Sequence, residues 1–177
     1  VPILFNLILK YFHKIFGYDV YLGRYLSCFF GIISMIFCYL LYLQFKNSNG
    51  SIFFITLIAF NIFLIKYSQE LRVYSLMTLL IILSLYFLFK IFSKKKNKLN
   101  YYLFILFLFL AILSHPFSII ILISTICLSL IRIIFFKENL IKLNIKLFFI
   151  LALSVIYYVI YFLNLNELTP WIPQVDI

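Results

Sequence analysis

The chain of 177 residues is 66% hydrophobic and 11% charged, whereas a soluble domain is nearer a quarter charged. That composition excludes a soluble globular protein and implies an integral membrane one. Fifteen Lys and Arg stand against five Asp and Glu, a formal net charge of +10; with no aromatic-and-basic surface, the excess marks cytoplasmic loops and argues against a nucleic-acid partner.

Three cysteines, Cys28, Cys38 and Cys127, fall inside apolar segments without metal-ligand spacing and read as small core or lipid-facing residues. The chain opens on Val1 without the layout of a secretory signal and stops soon after Trp171-Ile172-Pro173. It reads as an internal piece of a longer protein.

Residues 3–16 carry Ile3, Leu4, Leu7, Ile8, Tyr11, Phe12 and Ile15 at helical spacing, with Asn6, Lys10 and Lys14 as a narrow polar stripe. This predicts a short amphipathic helix stopped by Gly17 and lying along the membrane interface. About six spans follow, near 22–45, 51–66, 71–92, 99–115, 117–136 and 147–165, each apolar around its circumference. The expected fold class is all-α, a polytopic transmembrane helix bundle behind an interfacial helix. Residues 1–20 form its juxtamembrane helix and loop, and residues 21–177 its transmembrane domain.

Charge sets an expected orientation. Lys46, the Lys94–Lys98 cluster, Arg132, Lys137, Lys142 and Lys146 fall on one side, which is therefore cytoplasmic. Asp19, Glu70, Glu167 and Asp176 fall on the other, together with Ser114-His115 and Pro170-Trp171. Asn49-Gly50-Ser51 matches a glycosylation sequon, but on the cytoplasmic side of this topology. The Lys94 cluster also suits anionic membrane lipid.

The run from Lys66 to Ser75 (Lys66-Tyr67-Ser68-Gln69-Glu70-Leu71-Arg72-Val73-Tyr74-Ser75) is the most informative one. It sets a carboxylate, a guanidinium, an amide and two phenols at the tip of a helical hairpin, where charge is costly. The span before it has only about 15 apolar residues, near 22 Å, against a hydrocarbon core of about 30 Å. Either the bilayer thins or the polar tips are recessed, and recession would place Glu70, Arg72 and His115 together in an outward-facing pocket. A helix starting near Ser68, capped by it, would place Glu70 in its first turn and backbone N–H groups beside Arg72, a seat for phosphate. The plainer alternative is a capped turn with interfacial Tyr and Arg anchors.

His115, before Pro116, is either a helix boundary or a pocket ligand; with Glu70 it makes a weak metal pair. Arg24, five residues after Asp19, is either an interfacial anchor or a second cation for a lipid-linked phosphate. Trp171 reads as an interface aromatic. No Gly-rich phosphate loop, Ser/His/Asp set or zinc-protease helix occurs.

Several segments, in order, resemble those of GT-C-type membrane glycosyltransferases, the superfamily of protein O-mannosyltransferases and aminoarabinose transferases. Pro2-Ile3-Leu4, Phe16-Gly17 and Leu22-Gly23-Arg24-Tyr25-Leu26-Ser27 resemble the stretch after the first external loop. Tyr67-Ser68-Gln69-Glu70-Leu71-Arg72-Val73-Tyr74 resembles the Tyr-Ser-Gln-Glu-Ala-Arg-Met-Tyr motif of one branch. Ser114-His115-Pro116-Phe117 and Pro170-Trp171-Ile172-Pro173 resemble its later Thr-His-Tyr-Phe and Pro-Trp-Leu-Pro segments. Val1-Pro2-Ile3 departs from the branch's His-Pro-Pro.

The resemblance implies inverting transfer of a sugar, hexosyl or pentosyl, from a polyprenyl-phosphate-linked donor to a glycan, lipid or protein acceptor at the outer face of the cell envelope. It implies an Asp general base in an external loop before Val1. Glu70 becomes a second pocket carboxylate, orienting the acceptor or a divalent cation, with His115 as the cation's other ligand. Arg72 balances the donor phosphate, and Tyr67, Gln69, Tyr74, His115 and Arg24 line the site. The alternative is a non-enzymatic transporter or flippase component, which should show internal repeats and helix interruptions near mid-membrane. An O-antigen-polymerase-like protein would carry a long external loop with paired arginines.

Overall fold

The computed structural model describes residues 3–45, 51–92, 97–137 and 140–163. Lys94–Lys96, the sequon at Asn49-Gly50, Glu167, Asp176 and the Pro170–Pro173 motif lie outside them. Among the described residues there are eight helices and no strand, so the all-α expectation holds. Two compact units divide the chain, Val1–Ile121 and Leu122–Ile177.

In the first unit α1 (Ile3–Phe16) ends where the periodicity predicts. Gly17 takes φ +93°, a left-handed conformation that costs a glycine nothing, and its N–H returns to His13 O at 2.9 Å. Phe5 is buried, whereas Ile3, Leu7, Tyr11 and Ile15 stay exposed on the apolar face. Helix α2 (Val20–Phe45) starts at Asp19, whose Oδ1 accepts from Tyr21 N at 2.9 Å. Its 26 residues reach about 39 Å, enough to cross a bilayer.

The segment expected as one span near 51–66 is two short helices, α3 (Ser51–Ala59) and α4 (Ile62–Gln69). Phe60 and Asn61 separate them. Phe60 N and Asn61 N close the end of α3 on Thr56 O and Ile58 O. Asn61 then caps α4, its side chain accepting from Leu64 N at 3.1 Å. A helix interrupted at membrane depth needs its freed backbone groups met inside protein or along a cavity. Here the two sides of the break, Ile58-Ala59 and Leu64-Ile65, line a cavity of about 90 Å³ together with α2 and α5 (Tyr74–Phe92).

No helix starts at Ser68. Ser68 lies in the last turn of α4, its hydroxyl donating back to Ile65 O at 2.7 Å. Glu70 is the C-terminal cap of α4, with extended φ −90° and ψ 141°, and α5 begins only at Tyr74. The physical reason is the burial pattern between them. Leu71 packs against the core and Val73 is 8% exposed, while Arg72 is exposed. A helix would carry Leu71 and Val73 to different faces, so the chain turns between α4 and α5, Arg72 N closing on Glu70 O.

Helix α5 is the central helix, with nine of its 19 residues buried. It packs chiefly on α6 (Lys98–Ser114) and α2, with α3 and α4 on α2 and α1 on α6 and α2. Phe5, Val73, Leu76, Leu80 and Ala111 form the core beneath the tip. Lipid gives apolar side chains no reason to leave it, so close backbone approach and internal hydrogen bonds hold such helices together. The hydroxyls of Ser34, Thr78, Ser84 and Ser114 are satisfied within their own helices, each donating to a carbonyl three or four residues earlier.

The second unit takes in most of α7 (Ser118–Phe136) and α8 (Ile141–Leu163). Lys137 at φ +52° ends α7. Leu122, Ile126, Leu143, Leu147 and Ile150 are buried, and Ser129 Oγ donates to Asn144 Oδ1 inside the unit. The last expected span thus begins at Ile141, six residues before position 147. Among the described residues four helices are long and apolar enough to cross a membrane, Val20–Gln44, Tyr74–Phe92, Ser118–Phe136 and Leu143–Tyr161. Lys98–Ser114 is a shorter apolar helix, with Asn97 as its cap.

Candidate functional site

The connection from α4 to α5 is pinned from inside and charged outside. Leu71 enters a notch made by Gly23: a Cβ there would stand 2.5 Å from Leu71 Cδ1 and 3.3 Å from Leu9 Cδ1. Arg72 N donates to Glu70 O at 2.8 Å, a tight three-residue turn. Their side chains pair as well, Arg72 Nε lying 3.3 Å from Glu70 Oε2. This approach is an ion pair without hydrogen-bond alignment, because Oε2 is buried and has no hydrogen-bond partner. Glu70 ends a helix, where the dipole disfavours an anion, and Arg72 compensates it. The pair is partly solvated, the side chains being 63% and 30% exposed, so it contributes little to stability. Its interest is chemical: an accessible guanidinium next to a carboxylate with acceptor capacity to spare.

Beside the pair runs a line of rings. Tyr67 of α4 and Tyr74 of α5 lie 4.7 Å apart by centroids, Tyr74 and His115 5.4 Å, and His115 and Phe117 4.8 Å. His115 is the C-terminal cap of α6, its N–H bonded to Ala111 O at 3.1 Å. Its Nδ1 accepts from Phe117 N at 3.2 Å, which requires the Nε2–H tautomer of a neutral ring. Partial burial also lowers its pKa from the usual imidazole value. Pro116 follows in the turn, and α7 starts at Ser118.

Unpartnered buried polar atoms gather at the same end. In the first unit, among the described residues, these atoms are Ser27 Oγ, Glu70 Oε2, Ser75 Oγ and Ser118 Oγ; Asn144 Nδ2 is a fifth, in the second unit. Ser75 follows Tyr74 and lines the cavity. Ser27 lies on α2 between Gly23 and Gly31, the residues against which Leu71 and Ser68 rest. Ser118 stands three residues after His115 and donates its backbone N–H to His115 O. Buried polar groups normally find partners, so four such atoms around one tip mark a place where a polar ligand or water completes the structure.

The sequence-predicted residues separate into groups. Glu70 pairs with Arg72, and Tyr67, Tyr74 and His115 join through their rings. Gln69 is exposed at the end of α4. Arg24 is exposed on α2 with its guanidinium 5.8 Å from the Tyr21 ring, while Asp19 is engaged as the α2 cap. Among the described residues no three His, Cys, Asp or Glu side chains are grouped as a metal would need. Sequence reasoning missed the roles of Asn61, Gly31, Ser27, Ser75 and Ser118, and the ring contact of Phe117. Only Asn61, a lone amide inside an apolar run, left a local signal.

A family model described as dolichyl-phosphate-mannose-protein mannosyltransferase matches residues 1–162. No curated protein and no solved structure matches the chain.

Proposed function

The chain belongs to the dolichyl-phosphate-mannose-protein mannosyltransferase family, and from that premise we propose that the segment from Lys66 to Tyr74 is its donor-phosphate wall. Family membership makes the protein a GT-C-type glycosyltransferase, integral to the membrane, that uses a lipid-linked sugar. In our reading the donor is a sugar on a polyprenyl phosphate and the tip faces away from the cytoplasm, opposite the Lys94–Lys98 loop. The acceptor is a glycan, lipid or protein hydroxyl. Its oxygen bonds to the anomeric carbon as the bond from that carbon to the phosphate oxygen breaks. Configuration inverts, the hydroxyl proton passes to an Asp in a preceding external loop, and polyprenyl phosphate leaves.

Arg72 takes up the charge that develops on the departing phosphate. Glu70 holds the guanidinium in place, and its spare acceptor capacity orients the incoming hydroxyl. The rings of Tyr67, Tyr74, His115 and Phe117 offer apolar faces and polar edges beside it, as a sugar requires. Gln69 precedes Glu70, Arg24 follows Gly23 on which Leu71 rests, and both are exposed candidates for donor contact. A divalent cation would sit on Glu70 with the substrate phosphate completing its ligands, and His115 could join only as the other tautomer, giving up the bond from Phe117 N to Nδ1.

The observation that carries this reading is the Glu70–Arg72 pair inside the matched region, with unpartnered buried atoms around it. The interruption at Phe60-Asn61 is the one feature that favours a transporter instead. Transfer by the full-length protein from a polyprenyl-phosphate sugar separates the two. Glu70→Gln and Arg72→Ala should each lower the rate by about tenfold or more at equal folded protein. Variants that keep the normal rate would remove both roles.

A further inference from the structure

We propose that Gly31, in the middle of α2, is a positioning residue: its missing side chain sets the depth at which α4 seats and so places Glu70 and Arg72 for the donor. The proposal rests on reading the tip as the phosphate wall. A Cβ at position 31 would stand 2.9 Å from Ser68 Cβ. That is closer than two carbons approach, and neither atom can rotate away, since each is fixed to its own backbone. Gly23 is different, because the atom a Cβ would meet there is the end of the Leu71 side chain, which can turn. Gly31 is therefore the hard stop for α4 and Gly23 the soft one.

What rests on that stop is the site. Ser68 is held in the last turn of α4 by its bond to Ile65 O. The residue before it is Tyr67, whose ring meets Tyr74. Two residues after it is Glu70, in the turn that carries the pair with Arg72. A methyl group at position 31 must lift α4 from α2, and the lift passes to the rings on one side and to the ion pair on the other. Misplacement of a binding group by about 1 Å can cost two orders of magnitude in rate.

The test uses the full-length protein in lipid nanodiscs. Gly31→Ala should lower kcat/KM for a polyprenyl-phosphate sugar by about tenfold or more, chiefly through a higher donor KM, measured at equal folded protein. In a Ser68→Gly background, which lacks the opposing Cβ, Gly31→Ala should leave the donor KM at the value of Ser68→Gly alone. The seating of α4 is also read without activity. In a background lacking other cysteines, Gln69→Cys should react with an impermeant maleimide at a rate that Gly31→Ala shifts severalfold, but not when Ser68→Gly is also present. An unshifted labelling rate, a donor KM unmoved by Gly31→Ala, or a KM rise that persists in the Ser68→Gly background would each overturn the proposal. If the labelling behaves as stated but the parent transfers no sugar, the seating by Gly31 stands and the donor-phosphate reading falls.

Discussion

At the scale of single residues the tip is decided by alternation. Glu70-Leu71-Arg72-Val73 reads polar, apolar, polar, apolar, and the structure follows that pattern in a turn, with Leu71 and Val73 packed and Arg72 exposed. The pattern was legible, but Ser68 as a cap suggested a helix and hid it. His115 is a second case, since its importance could be read but its bond to Phe117 N could not. That bond gives a pH prediction. Burial lowers the His115 pKa below 6.5. The neutral ring therefore keeps its acceptor at and above pH 6.5, and the turn loses it as pH falls through the lowered value. Transfer should decline on that acid limb in the parent. His115→Asn, which keeps a side-chain acceptor without titrating, should flatten it; an identical limb in both would exclude His115 as its origin.

At the scale of elements the main departure is the division of one expected span into α3 and α4. The length deficit was visible, because about 15 apolar residues do not cross a hydrocarbon core of about 30 Å. A thinner bilayer or a recessed tip would each account for it, and the structure adds an interruption inside the run. Hydropathy averages over a window, and one Asn among Phe, Ile and Leu hardly changes it. The capping geometry of Asn61 appears only once the backbone is folded. Asn61→Ala should destabilise the protein by about 1 kcal/mol, seen as a lower melting temperature in detergent, and Asn61→Asp should recover most of it. Equal melting temperatures for Asn61→Ala and the parent would mean that the cap does not hold the break open. Gly31 and Ser68 are 37 residues apart, and nothing local announces their contact; that is why α2 read as a plain apolar span.

At the scale of the whole molecule, composition and order did most of the work. The low charge content implied the membrane, and the all-helical fold with four long apolar helices agrees. The ordered segments at Leu22–Ser27, Tyr67–Tyr74 and Ser114–Phe117 pointed to GT-C-type enzymes, and the family match over residues 1–162 contains all three. What one sequence could not provide is the set of unpartnered hydroxyls around the tip, because each depends on which helix faces which. The central claim is that Arg72 receives the phosphate of a lipid-linked sugar. Donor binding to the full-length protein in nanodiscs, titrated for the parent and for Arg72→Ala, tests it most directly. The account predicts affinity weaker by about tenfold or more in the variant, the loss expected for a charged hydrogen bond, at an unchanged melting temperature. Equal affinity in the two proteins would contradict it.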